Sequence, residues 1–120
     1  MTVTGQNIGT SREPWIAGDT RILEVLVRDA AGVEIDLDTL DIAAARFTLG
    51  LPGATPLVDK TLATGIVKNT TTNRMVVTFA AADTISIGTG RYRIELELTF
   101  TDATVTTVLT GEAIIRADYA

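Results

Sequence analysis

Ten consecutive residues, 91–100, alternate without exception between apolar and polar side chains. The apolar positions are Tyr92, Ile94, Leu96, Leu98 and Phe100, and the polar ones are Arg91, Arg93, Glu95, Glu97 and Thr99. A period of two belongs to a β-strand, and no helical face would collect this apolar set. A strand with one apolar face needs neighbours in its sheet and a second layer over that face. The segment therefore predicts a β domain of two packed layers.

The remainder of the chain predicts more strands of the same kind. Turn-forming residues interrupt it near residues 18–20, 29–32, 50–56, 69–73 and 101–104. Threonine and valine, which favour strands, are abundant between these turns. The spacing predicts about seven or eight strands in an all-β, antiparallel β-sandwich of immunoglobulin-like type, with a small barrel as the alternative.

Three segments are harder to assign from the pattern alone. Residues 33–37 should return antiparallel to the preceding strand, and residues 57–63 and 65–68 should form a strand pair or one bulged strand. Residues 80–84 are too short for a stable helix but could make one helical turn between sheets. The last strand, 105–117, carries apolar residues on both faces, so its inner face stays open, and Gly111 is a candidate bulge.

The 120 residues predict one domain, 13–120, preceded by a flexible polar arm, 1–12. Residues 13–17 suggest a short edge strand that begins at Pro14. The N-terminus has no apolar run of signal-peptide length, and no segment approaches a membrane span. The sequence thus predicts a protein made in the cytoplasm with no membrane partner.

Charge and composition exclude several kinds of function. The net charge is −5 and the basic residues are scattered, which argues against a nucleic-acid partner. The chain has no His and no Cys, so the commonest general base, the thiol nucleophile and the commonest transition-metal ligands are missing. A positive mean hydropathy suggests that some apolar surface is covered in an assembly.

Carboxylates are the remaining candidates for catalysis or metal binding. Glu95 and Glu97 lie two apart on one strand face, but both alternate with arginines on a face that should be solvated. Asp36, Asp38 and Asp41 resemble the start of a calcium loop but lack its glycine and its distal glutamate. We therefore expect no enzyme activity, no catalytic residue, no metal and no cofactor.

Four residues are candidates for an interface: Trp15, Ile16, Ile22 and Leu26. Trp15 lies on the predicted edge strand, so it either fills the core or anchors a contact. Ile22 and Leu26 lie on the face of the next strand that also carries Glu24, which suggests that this face is partly covered.

A series of turn and core motifs, spread from Trp15 to Arg116, resembles one protein family. The motifs are Trp15, Gly18-Asp19-Thr20, the turn from Asp29 to Gly32 with Ile35-Asp36-Leu37 behind it, Phe47, Ala82-Asp83-Thr84, Gly90-Arg91-Tyr92 and Leu109-Thr110-Gly111. Together they are similar to the β-sandwich domain at the N-terminus of phage baseplate upper proteins and of related small tail and fibre proteins. The resemblance implies a virion structural domain that docks onto tail or baseplate neighbours, commonly within a symmetric oligomer.

These observations predict a non-enzymatic structural protein of a bacteriophage or prophage virion, associated with the tail, baseplate or fibre. Its predicted partners are copies of itself, in a homo-oligomer, and other virion proteins. One alternative is a carbohydrate-binding β-sandwich that recognises a host or surface sugar, which would need several exposed aromatic residues on one face. Another is a small enzyme built on carboxylates, which would need them paired in a cleft.

Overall fold

The computed structural model describes residues 15–117 in full and, by backbone alone, residues 3–4 and 7–10. The predicted strand start at residues 13 and 14 lies outside the described residues. Residues 1–2, 5–6, 11 and 12 of the predicted arm lie outside them as well. That the arm is flexible stays a prediction.

The described chain consists almost entirely of β-strands. They are β1 (Val3–Thr4), β2 (Asn7–Thr10), β3 (Trp15–Ile16), β4 (Arg21–Val25), β5 (Arg28–Asp29), β6 (Ile42–Gly50), β7 (Val58–Thr61), β8 (Ile66–Asn69), β9 (Arg74–Phe79), β10 (Gly90–Phe100) and β11 (Val105–Arg116). One α-helix, α1 (Ala81–Ile87), and one short 3-10 helix, Leu37–Thr39, interrupt them. Neither described helix is long and apolar enough to cross a membrane.

Two sheets face each other across the core. The large sheet has the strand order β2-β11-β10-β6-β7, with β3 also paired to β11, and the small sheet has the order β4-β9-β8. All pairs are antiparallel except those of β2 and β3 with β11, and β1 pairs separately with β5. This two-sheet order is that of an immunoglobulin-like sandwich, so the predicted fold class is confirmed. The additional strands beyond the predicted seven or eight are short pieces.

The alternation of residues 91–100 survives intact in β10, the central strand of the large sheet. Its inner residues Tyr92, Ile94, Leu96 and Leu98 are buried, and Phe100 is partly buried against them. Three aromatic rings link the two sheets through this core. The Phe79 ring on β9 lies 4.9 Å from that of Trp15 and 5.2 Å from that of Phe47, both on the large sheet. Burying each such ring contributes about 1.5–3 kcal/mol.

The inner face of β11 is set by a bulge at Val108. Leu96 pairs with Leu109, but Glu97 pairs with Thr107, so Val108 is the extra residue and both it and Leu109 are buried. The predicted bulge at Gly111 does not occur in the pairing with β10. An irregularity next to Gly111 occurs instead in the pairing with β2.

The helix α1 is longer than the single turn predicted at residues 80–84 and extends to Ile87. Ile87 is buried and packs on the core, which explains why the helix continues to it. At the start of α1, the Asp83 carboxylate accepts a hydrogen bond from the Ala80 amide. The Thr84 hydroxyl lies on the 18–20 turn, where it accepts from the Gly18 amide and donates to the Asp19 carbonyl. The helix is thereby fixed to the turn that joins β3 of the large sheet to β4 of the small sheet.

Two other local predictions hold only in part. Residues 33–35 return antiparallel to residues 27–29 through an isolated bridge between Arg28 and Glu34, but they form no strand before the 3-10 helix begins. The strands β7 and β8 do not pair with each other, since the turn between them carries the chain from the large sheet to the small one. Gly65 in this turn has a φ of +119°, which favours glycine at the crossing.

Candidate interaction surface

Trp15 belongs to the core and not to an exposed interface. It pairs with the buried Ile115 across the β3–β11 ladder, which directs its ring inward onto Phe79. Only 2% of the residue is exposed. Of the two predicted roles of Trp15, the structure therefore shows that it fills the core. Its prediction as an interface residue is corrected accordingly.

The other three candidates lie closer to the surface but not all together. Ile16 is half-buried on β3, in the large sheet. Ile22 on β4 is 56% exposed, and Leu26, just after β4, is half-buried between the buried Val25 and Val27. Of these three, only Ile22 therefore lies within the small sheet, and Leu26 follows its strand β4 directly.

Ile22 extends into an apolar surface on the outside of the small sheet. Across the ladders, Ile22 pairs with Thr78, Glu24 pairs with Val76, and Val76 pairs with Val67. Val67 is 57% exposed and Val76 is partly exposed. We call Ile22, Leu26, Val67 and Val76 the aliphatic face. Sequence analysis did not single out Val67 and Val76, although the consecutive apolar residues at 66–67 and 75–77 were a signal that both faces of these strands carry apolar side chains.

The outer face of the large sheet has the opposite character. Its exposed charges form ion pairs across and along the strands, between Arg46 and Asp59 at 2.8 Å, Arg93 and Glu95 at 3.3 Å, and Arg91 and Glu112 at 3.9 Å. The hydrogen bonds between Arg46 and Asp59 raise the pKa of the guanidinium and lower the pKa of the carboxyl. We call this surface the charged face.

Glu95 and Glu97 lie on the charged face and do not share a cleft. Glu95 lines an open depression of about 280 Å³ beneath the loop that follows β6, together with Arg93 and Thr48. Glu97 is not part of its lining and instead pairs across the strands with Arg46 and Thr107. Both residues are partly exposed.

The acidic residues of segment 36–41, which resemble the start of a calcium loop, include one that caps a helix. Asp36 caps the 3-10 helix by accepting a hydrogen bond from the Asp38 amide. Within residues 15–117 and the two described N-terminal strands, no group of three or more acidic side chains is placed to hold a metal ion.

Two of the sheet edges carry a lysine that points inward. Lys60 on β7 lies opposite the buried Phe47 and reaches Asp83 of α1 at 3.0 Å. Lys68 on β8 lies opposite the buried Met75 and donates to the Leu40 carbonyl at 3.1 Å. An inward charge on an edge strand discourages pairing with a foreign strand, because the added sheet would bury it further.

The edge at β4 is different, because no hydrogen bond or ion pair joins its inward cation to an acceptor among the described residues. Arg21 lies over the Trp15 ring, with its guanidinium carbon 5.5 Å from the ring centroid. Its Nε is buried and has no hydrogen-bond partner among the described residues. On its far side β4 pairs with no strand of the described chain.

Comparisons with known proteins show no family for this chain. No family model matches the chain, and no curated protein matches it. Among solved structures, one of Drosophila OTK, extracellular domains 3–5, is similar at 17% identity with a TM-score of 0.40. The match covers 97% of this chain and 34% of that one, so the chain spans about a third of the structure it resembles.

Proposed function

We propose that this protein is a non-enzymatic structural subunit that acts by assembly, within the tail, baseplate or fibre of a bacteriophage or prophage virion. Its partners are further copies of itself and neighbouring virion proteins. The aliphatic face is the observation that carries the assembly role. The resemblance of the turn and core motifs to phage baseplate upper proteins supports the virion setting.

The aliphatic face supports assembly because of where its residues lie. Ile22 and Val67 each expose more than half of their surface on a sheet whose inner face already forms the core. Grouped aliphatic side chains on an outer sheet face are a common mark of a protein contact. A sugar-binding site would instead need exposed aromatic rings, and the described aromatic residues lie in the core or pack against it.

Light scattering coupled to size exclusion, over a concentration series, tests the proposal. We expect a mass above that of one chain, and we expect Ile22→Lys or Val67→Lys to lower it. Val105→Lys is the matched control, since Val105 is a strand residue of the large sheet that is 54% exposed and lies outside the aliphatic face. A single-chain mass for the wild type at every concentration would contradict self-assembly, and equal effects of all three variants would contradict the role of this face.

A further inference from the structure

We propose that the free edge of β4 accepts an extended acidic segment of a partner protein as an added strand, with a partner carboxylate bound by Arg21. This inference rests on the proposed assembly function and names one way in which a partner is held. It concerns the edge of the small sheet, whereas the aliphatic face concerns the outside of that sheet.

The four sheet edges differ in how open they are. The β11 edge of the large sheet is already occupied by β2 and β3. Inward lysines with fixed acceptors, Lys60 and Lys68, occupy β7 and β8. The β4 edge has no described strand beside it, so within the described part of the chain its outward amides and carbonyls have no strand partner, and an incoming main chain is the partner that we propose.

Arg21 gives the β4 edge a preference for a partner segment that carries a carboxylate. Seven other described cations have an oxygen acceptor: Arg28, Arg46, Lys60, Lys68, Arg74, Arg91 and Arg93. Among the described residues Arg116 has no such acceptor, but it is exposed to solvent, whereas Arg21 combines a position over Trp15 with a buried Nε that has no partner in the same part of the chain. A guanidinium on an aromatic ring is held in place, and a carboxylate is the acceptor that best fits its donors.

Strand geometry places such a carboxylate on the incoming segment. Residues directly opposite each other on neighbouring strands point to the same side of the sheet. The partner residue opposite Arg21 would therefore point inward, as would those opposite Leu23 and Val25. The preferred segment carries an acid at the first of these positions and aliphatic residues at the next two.

Two peptides test the inference on the full chain. Both read Val-Thr-Val-Thr-X with blocked ends, where X is aspartate in one and asparagine in the other, so that antiparallel pairing, as in the rest of the small sheet, places X opposite Arg21. Titrations followed by amide NMR should show shifts and slowed hydrogen exchange along residues 21–25. We expect the aspartate peptide to bind about tenfold more tightly than the asparagine peptide, with a preference that shrinks as salt is added.

Variants assign the preference to one side chain. Arg21→Gln should abolish the difference between the peptides, and Arg21→Lys should keep part of it. Arg116→Gln is the matched control and should leave the difference unchanged. Thermal unfolding of each variant checks that the fold is retained, and the Arg21→Lys variant keeps the test valid if Arg21→Gln is unstable.

The results that would contradict strand addition at β4 differ from those that would contradict the proposed assembly function. Equal affinities of the two peptides, shifts away from residues 21–25, or no binding of either peptide at millimolar concentration would overturn strand addition at β4. If Val67→Lys still lowers the mass in solution, assembly through the aliphatic face stands without it. Amides of β4 that are already protected in a two-chain particle would identify a second copy as the occupant, and would overturn our choice of partner.

Discussion

The two outer faces of this sandwich use their side chains in opposite ways. The charged face binds its arginines to carboxylates on its own surface, and these exposed pairs contribute little to stability. The aliphatic face leaves Ile22 and Val67 more than half exposed, with no neighbour in the described chain to cover them. A face that satisfies its own polar groups needs no partner, whereas aliphatic residues exposed together gain free energy when a partner covers them. The contrast therefore supports our proposal that the contact surface lies on the small sheet.

The strongest test of this contrast compares the two sides of β9. Phe79→Ala removes the ring that contacts Trp15 and Phe47, and we expect it to lower the free energy of unfolding by about 3–5 kcal/mol. Val76→Ala, on the aliphatic face of the same strand, should cost less than about 1 kcal/mol. Urea denaturation measures both. Comparable losses would mean that the aliphatic face is part of the core.

We expect a smaller loss of stability when the contact between α1 and β7 is removed. The Asp83 carboxylate, at the start of α1, accepts from the Lys60 ammonium of β7 at 3.0 Å and from the Ala80 amide at 2.9 Å. Burial of the carboxylate raises its pKa, but these hydrogen bonds and the Lys60 charge outweigh burial, so the pKa lies below its ordinary value. Asp83→Asn should cost about 1–2 kcal/mol at neutral pH.

The pH dependence of this loss has a definite sign. Because the folded pKa of Asp83 is lowered, the unfolded chain binds the proton first as the pH falls, and the stabilisation is present only above about pH 4. Urea denaturation of the wild type and of Asp83→Asn should therefore converge as the pH falls below that value. A gap that persists at low pH would indicate that the variant loses packing and not charge.

Val67→Thr should separate stability from assembly on the aliphatic face. The two side chains are close in shape and the site is 57% exposed, so the free energy of unfolding should change by less than about 0.5 kcal/mol. The mass in solution should fall, because the added hydroxyl must lose its water when the face is covered. An unchanged mass would place the contact elsewhere.

The smallest effect is expected on the charged face. Arg46→Gln removes the exposed pair with Asp59, and the urea midpoint should shift less than it does for Asp83→Asn. The shift should vanish in about 1 M salt, which screens exposed charges. A shift that resists salt would show that the Arg46 side chain contributes through packing.

Local patterns predicted much of this fold, because they reflect local geometry. The strict alternation in β10 identified its buried face, and the turn residues located most strand ends. The inner face of β11 could not be assigned in the same way, since the bulge at Val108 changes which residues point inward partway along the strand. The extent of α1 was missed because packing of Ile87, a tertiary contact, sustains the helix.

The candidate surface was only partly predictable for the same reason. Ile22 and Leu26 could be proposed from alternation along one strand, but their grouping with Val67 and Val76 depends on which strands become neighbours. The burial of Trp15 depends on its parallel pairing with β11. The contact between Arg21 and Trp15 joins residues on different sheets, so no local pattern could have indicated it.

The bulge in β11 also bears on how this sequence can change over time. Thr107 and Leu109 already pair with the neighbouring residues Glu97 and Leu96, so deleting Val108 would leave the other side chains of β11 on their present faces. Deleting a paired residue far from the bulge would instead shift the pairing on one side of the deletion by one position and turn those side chains to the opposite face. Related genes should therefore vary in length at Val108 more readily than elsewhere in this strand.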